Sequence, residues 1–260
     1  MKINPNIFML VIAVSGVPAL FKILNLLHYL YRNKFFHLSI YSILKDSKEY
    51  HILVGVGIFF MLGELATLLI QQGSIFIVGR ISGPLSVGEF SVVLKLNVLF
   101  FGLVIMITQP IMPILVKSFN DSDYKWVKEQ FLKISLLLFI YSIVITVIIS
   151  FFGTDIIKFW TKGNIHVDSY TMFLGGLYFF FTVWNHIFFI ILMSLGLTKF
   201  PTIIVCIESI FSVILLFYLV KPYGVEGAFV ALLIPCLLCT FISYSYMVFL
   251  KMKNILKEII

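Results

Sequence analysis

Seven runs of apolar residues, each long enough to cross a lipid bilayer, constrain the fold of this chain more than any other feature. A helix needs about 20 mostly apolar residues to cross about 30 Å of hydrocarbon. A backbone exposed to lipid must also satisfy its hydrogen bonds within the segment. The sequence therefore predicts an all-α polytopic membrane protein with about seven transmembrane helices, at approximately residues 7–31, 52–79, 87–116, 132–153, 170–195, 200–220 and 225–249.

Composition supports the membrane interpretation and narrows the class of partner. Charged residues make up 12% of the 260 residues, whereas a soluble domain carries about 25%. A net charge of +7 is typical of nucleic-acid binding in a soluble protein, but here it favours loop lysines beside anionic membrane lipids. We expect membrane lipids and no nucleic acid as partners, and the cysteines, all within apolar runs, indicate no metal site and no cofactor.

The distribution of lysine and arginine predicts the orientation. Twelve basic residues fall on one side of the predicted spans, in the loops 32–51, 117–133 and 196–200 and in the tail. Five fall on the other side, and basic loops face the cytoplasm. The N-terminus is therefore expected outside and the C-terminus in the cytoplasm.

The odd number of spans predicts how the chain is organised. We expect residues 1–31 to form a single helix, 32–50 a cytoplasmic linker, 51–250 a six-helix bundle and 251–260 a basic cytoplasmic tail. Because the six later spans suffice for one bundle, the first span is interpreted as the tail of a missing preceding part. The pattern is typical of part of a larger membrane transporter.

Ionisable and amide side chains within the spans are the candidate site residues. Burying a charge in a span costs about 2.5–3.5 kcal/mol on insertion scales, so such groups usually face a bundle interior or a wet cavity. Lys95 and Lys22 are candidate cations for an anionic substrate, although Lys95 can also snorkel to the outer surface. The candidate coupling or polar cavity residues are Glu64, Gln71, Glu208 and Asn185.

Interhelical hydrogen bonding is the alternative role for these polar groups. It is favoured for the uncharged side chains, whereas the cost of burial makes a cavity role at least as well supported for the lysines and glutamates. His186 is interpreted as structural. No metal-ligand, nucleophile or phosphate-loop pattern accompanies these residues, so a transporter is predicted and an enzyme is not.

Three stretches carry motifs in a characteristic order. Residues 71–100 combine a polar helix, a Gly-Pro turn and a V-G-x-F-x-x-x-x-K-L segment, carried by Gly83, Pro84, Val87, Gly88, Phe90, Lys95 and Leu96. Residues 109–133 combine a proline-ended helix, a basic turn and D-x-x-W-x-K, carried by Pro113, Asp123, Trp126 and Lys128. Residues 194–200 and 223–234 add a G-x-x-K turn and a G-V-x-G-A helix start.

Together these motifs resemble those of the polysaccharide flippases, the Wzx-like O-antigen transporters of the multidrug/oligosaccharidyl-lipid/polysaccharide (MOP) superfamily. The resemblance covers residues 70–235 and departs from some relatives in lacking a tryptophan at 114–117. It implies one lobe, the C-terminal one, of a MATE-like two-lobe flippase, plus the preceding helix. Lys95 is the candidate that matches the motif.

The resemblance also implies a function and a location. The whole transporter would move undecaprenyl-diphosphate-linked oligosaccharide across the bacterial cytoplasmic (inner) membrane by alternating access. The expected partners are this lipid-linked oligosaccharide and either the missing N-terminal lobe or a second copy of the chain.

Three alternatives remain open at this point. A drug/cation antiporter on the same fold predicts a cavity dominated by carboxylates. A membrane glycan polymerase would need a long outer loop, whereas the longest here spans about 154–169. A non-functional fragment is the third alternative, because a single lobe cannot enclose a cavity by rocking against itself.

Overall fold

The computed structural model describes Met9, residues 16–32 and residues 47–259, and in the last range it describes side chains from Val54 to Lys253. All regular structure in these ranges is helical. The chain forms two compact units, Met1–Gly55 and Val56–Ile260. Most of the predicted linker 32–50 lies outside the described residues.

Helix α1, Val17–Arg32, belongs to the first unit and carries Lys22. None of its residues is buried within the structure. It corresponds to the C-terminal part of the first predicted span, whose residues 7, 8 and 10–15 lie outside the described part.

The remaining helices follow one another with short connections. They are α2 (Ser47–Leu68), α3 (Ser74–Asn120), α4 (Tyr124–Trp160), α5 (Ser169–Ser194), α6 (Lys199–Pro235) and α7 (Ile242–Ile259). A π-helical turn, Leu69–Gly73, joins α2 to α3, and a second, Cys236–Phe241, joins α6 to α7.

Four helical stretches in this part are long and apolar enough to cross a membrane, namely Val54–Asn120, Tyr124–Trp160, Ser169–Ser194 and Lys199–Lys253. The predicted polytopic, all-α class is therefore confirmed for the described residues. The number of seven transmembrane helices stays a prediction.

Two glycines interrupt the longest stretches at predicted turns. Gly83 has φ 87° and ψ −179°, and Gly224 has φ 54° and ψ −131°. Both conformations favour glycine because a Cβ would clash with the backbone. The chain folds back at each of them.

Close approaches across each turn demonstrate the reversal. A Cβ on Gly79 would lie 2.7 Å from the Val87 side chain, and a Cβ on Gly227 would overlap the Leu219 carbonyl oxygen. Residues eight apart in a straight helix are separated by about 12 Å. Each long stretch therefore consists of two helical segments packed side by side.

Gly83→Ala is expected to lower the free energy of unfolding by about 1–3 kcal/mol, because alanine is strained at this positive φ. Thermal unfolding of the purified protein measures the effect. Gly102→Ala is the matched control, since Gly102 lies within α3 and a Cβ there meets nothing within 4 Å. Equal melting temperatures for the two variants would contradict the strained turn.

Helix α4 has a capping residue at its start and is longer than the predicted span 132–153. Asp123 caps the helix by accepting a hydrogen bond from the Trp126 backbone N–H at 3.2 Å. The helix begins eight residues before the predicted start of the fourth span, within the predicted loop 117–133. It continues without a break to Trp160, and no proline lies within it.

The main core joins α3, α4, α5 and α6 through fully buried aromatic and aliphatic side chains. Phe90 and Phe229 have ring centroids 5.0 Å apart, a favourable tilted aromatic contact. Gly176 lets α5 approach α4 closely, since a Cβ there would lie 3.1 Å from the Thr146 carbonyl oxygen. This packing leaves the polar side chains of α2, α3, α5 and α6 along one side.

Candidate functional site in a polar cavity

A cavity of about 640 Å³ lies within the second unit, between segments of α2, α3, α5, α6 and α7. Five of the six candidate residues predicted from sequence line it: Glu64, Gln71, Lys95, Asn185 and Glu208. They come from helices far apart in sequence. Lys22 lies on α1 of the other unit, and its cavity role stays a prediction.

Both π-helical turns contribute to the cavity wall. The turn Leu69–Gly73 supplies Ile70, Gln71 and Gln72, and the turn Cys236–Phe241 supplies Cys236 and Thr240. A π-turn widens the helix locally and is frequent at functional sites. The amide side chains of Gln71 and Gln72 are exposed, which leaves them available to a ligand.

Asn185 links α5 to the second π-turn. Its Nδ2 donates to the Thr240 hydroxyl at 2.6 Å and to the Cys236 sulfur at 3.1 Å. The Thr240 hydroxyl in turn donates to the Cys236 carbonyl at 2.8 Å. Asn185 thus combines the two roles that the sequence left open, an interhelical hydrogen bond and a position on the cavity wall.

Glu208 is the buried acid of the cavity, with 6% of its surface exposed. It lines the cavity together with Thr240, Cys236 and Tyr244. A carboxyl group this buried requires a proton, a cation or hydrogen-bond donors to offset its desolvation.

Lys95 and Glu64 are the exposed charged residues of the wall. The Lys95 side chain is exposed, whereas its neighbours in sequence, Leu94 and Leu96, are buried. Because its side chain lines the cavity, it is placed to meet a ligand there. Among the described lining residues, Lys95 is the only lysine or arginine.

His186 also lines the cavity, although the sequence favours a structural role for it. Its Nε2 lies 3.0 Å from the Thr108 hydroxyl oxygen. The ring contacts Phe101 edge-on at 5.1 Å and stacks on Phe189 at 6.3 Å. No sequence signal joins Thr108 to His186, since the two lie 78 residues apart on different helices.

Comparison with known proteins gives two curated relatives, and no protein-family model matches the chain. One relative, from Salmonella typhimurium (strain LT2), is named "Putative O-antigen transporter"; it is 22% identical over 206 residues, which cover 79% of this chain and 48% of the relative. A protein of the same name from Shigella flexneri is 29% identical over 161 residues, covering 59% and 36%. The chain thus spans about half or less of the length of these relatives.

Among solved structures, the chain is similar to the crystal structure of a MATE point mutant, with a TM-score of 0.62. The match covers 77% of this chain and 44% of that one at 11% identity, so it shows the fold alone. The apolar helices and the relatives support a multi-pass membrane protein. The relatives and the MATE-like fold also support the resemblance to O-antigen flippases that the motifs predict.

Proposed function

We propose that this chain is one lobe of a flippase that moves undecaprenyl-diphosphate-linked oligosaccharide, an O-antigen or capsule repeat unit, across the bacterial cytoplasmic membrane. The observation that carries the proposal is the cavity of about 640 Å³ that brings Lys95 and four other polar candidates together inside an apolar bundle. Polar groups at that depth are costly unless they serve a substrate or ion. The names of the two relatives support the substrate class.

The proposed organisation follows the predicted domains. Residues 51–250 form the C-terminal lobe, 1–31 the last helix of an N-terminal lobe, 32–50 the cytoplasmic linker and 251–260 a cytoplasmic tail. Alternating access requires two lobes that rock about a central site. The partner is therefore an N-terminal lobe or a second copy of the chain.

Each polar group has a proposed role in transport. Lys95, with Lys22 as a second cation, binds the diphosphate or an acidic sugar through charge-assisted hydrogen bonds. Glu208 and Glu64 couple transport to a proton or an ion. Gln71 and Asn185 complete the polar wall.

A drug/cation antiporter on the same fold is the second candidate. The buried carboxyl of Glu208, together with Glu64 on the same wall, favours it. A cationic substrate would be repelled by Lys95, which is why the flippase ranks first.

Deletion of the gene in the bacterium that encodes this chain tests the proposal. A flippase predicts loss of surface polysaccharide and accumulation of lipid-linked repeat units facing the cytoplasm, both reversed by re-expression. Normal polysaccharide with increased sensitivity to cationic dyes would favour the antiporter. No change in either property would indicate an inactive chain.

The orientation is tested separately with a reporter fused after Ile260. Alkaline phosphatase is expected to be inactive there and green fluorescent protein bright, because the basic loops place the C-terminus in the cytoplasm. A fusion after Lys162, in a loop predicted to be outside, serves as the control with the opposite signals. Active phosphatase after Ile260 would contradict the proposed topology.

A further inference from the structure

The hydrogen bonds of Thr108 favour one of the two imidazole nitrogens of His186 as the protonated one. The Thr108 hydroxyl lies 2.9 Å from the Val104 carbonyl oxygen, the back-bond that a helical threonine ordinarily donates. A hydroxyl has a single proton to donate. Because the back-bond to Val104 uses that proton, we assign Thr108 as the acceptor and Nε2, 3.0 Å away, as the protonated nitrogen.

The second ring nitrogen is consequently an acceptor. A neutral imidazole protonated at Nε2 has a lone pair at Nδ1. In the part of the chain that the structure describes, Thr108 is the hydrogen-bond partner of the ring, and Nδ1 is not among the enclosed polar atoms that lack a partner. His186 lines the cavity, and with Nε2 bonded to Thr108 its remaining ring nitrogen, Nδ1, is the one available to a ligand there.

The surroundings of His186 suit a sugar ring. Phe101 and Phe189 contact the imidazole and also line the cavity, as do the exposed amides of Gln71 and Gln72. Aromatic rings pack against the C–H faces of sugars, while amides and a neutral nitrogen bond their hydroxyls. A neutral acceptor gains nothing from a phosphate oxygen, whereas Lys95 on the same wall does.

We propose that His186 is a specificity-determining residue of a carbohydrate subsite, in which Nδ1 accepts a hydrogen bond from a glycan hydroxyl. Thr108 is its positioning residue, because it holds the proton on Nε2. The inference rests on the proposed flippase function. It adds that the cavity has two parts, which bind different groups of the substrate. Lys95 meets the anionic group, and the His186 subsite meets the neutral sugar.

Binding by the purified full chain in lipid nanodiscs tests the subsite. The two probes are the undecaprenyl-diphosphate-linked repeat unit extracted from the bacterium that encodes the chain and undecaprenyl diphosphate without sugar. His186→Phe keeps an aromatic ring between Phe101 and Phe189 and removes the acceptor. It is expected to weaken binding of the glycan-bearing probe about 5- to 10-fold, the usual effect of one hydrogen bond, and to leave the sugar-free probe unchanged.

Thr108 supplies the matched pair of variants. Thr108→Val removes the acceptor for Nε2–H and is expected to weaken glycan binding in the same direction. Thr108→Ser keeps the hydroxyl and is expected to bind as the wild type does. Melting temperatures within 2–3 °C of the wild type, a shift of less than about 1 kcal/mol, establish that the variants are folded.

The possible outcomes separate the subsite from the proposed function. Wild-type protein that binds both probes equally, or His186→Phe that binds both as the wild type does, would overturn the subsite and leave the flippase proposal standing. Equal weakening for both probes would assign His186 a purely structural role and overturn it too. Wild-type protein that binds neither probe would overturn both proposals together.

Discussion

Replacing Lys95 with alanine is expected to reduce export of the lipid-linked glycan about 10- to 100-fold. Lys95 is the only lysine or arginine among the described residues that line the cavity. A charge-assisted hydrogen bond contributes about 1.5–3 kcal/mol, and each 1.4 kcal/mol is a factor of ten. Surface polysaccharide in a strain whose sole copy of the gene carries the substitution measures the effect.

Two control variants separate the cavity role of Lys95 from general effects of charge. Lys95→Arg keeps the positive charge and is expected to retain most of the export. Lys117→Ala removes an exposed lysine from the same helix, α3, away from the cavity-lining residues, and is expected to have no effect. Normal export by Lys95→Ala, at a normal protein level, would contradict the role of Lys95 as a substrate-binding cation.

Gly227→Ala is expected to destabilise the folded protein by about 3 kcal/mol, the upper end of the usual cost of overpacking. A Cβ there would overlap the Leu219 carbonyl oxygen on the other side of the turn at Gly224. Backbone cannot rotate away as a flexible side chain can, so the two helical segments would have to separate. That movement would disturb the cavity wall that Glu208 and Leu232 line on either side of the turn.

The yield of monodisperse protein and its melting temperature measure this prediction. Gly102→Ala is again the control, because it adds the same methyl group within a helix where nothing lies within 4 Å. The control is expected to match or slightly exceed the stability of the wild type, since alanine favours a helix over glycine. A wild-type melting temperature for Gly227→Ala would contradict the close packing across the turn.

Local chemistry explains which features the sequence predicts. Gly83 precedes Pro84, and Gly224 lies two residues after Pro222, each between apolar runs. Turn signals therefore suffice for these two features. Glu64, Lys95 and Glu208 were predicted from the cost of burying a charge in lipid, which depends on the residue and its span. Their convergence on a single cavity is a property of the fold.

The remaining features depend on contacts that a single sequence does not encode locally. The π-turns at Leu69–Gly73 and Cys236–Phe241 contain no residue type that distinguishes them from an α-helix. The assignment of the His186 proton to Nε2 depends on Thr108, which lies on another helix. The sequence alone therefore favours a structural histidine. The role of Lys22 depends on what its helix, α1, packs against. None of the residues of α1 is buried within the structure, so its packing indicates no role for Lys22.

Site-specific photo-crosslinking in living cells tests most directly whether the cavity holds the lipid-linked glycan. A benzoylphenylalanine replaces Phe60, a half-exposed residue of the cavity wall, or Phe151, an outward-facing residue of α4 that is 77% exposed. The flippase proposal predicts a glycan-bearing lipid adduct at position 60 and membrane phospholipid alone at position 151. Phospholipid alone at both positions, in cells that make the lipid-linked glycan, would contradict it.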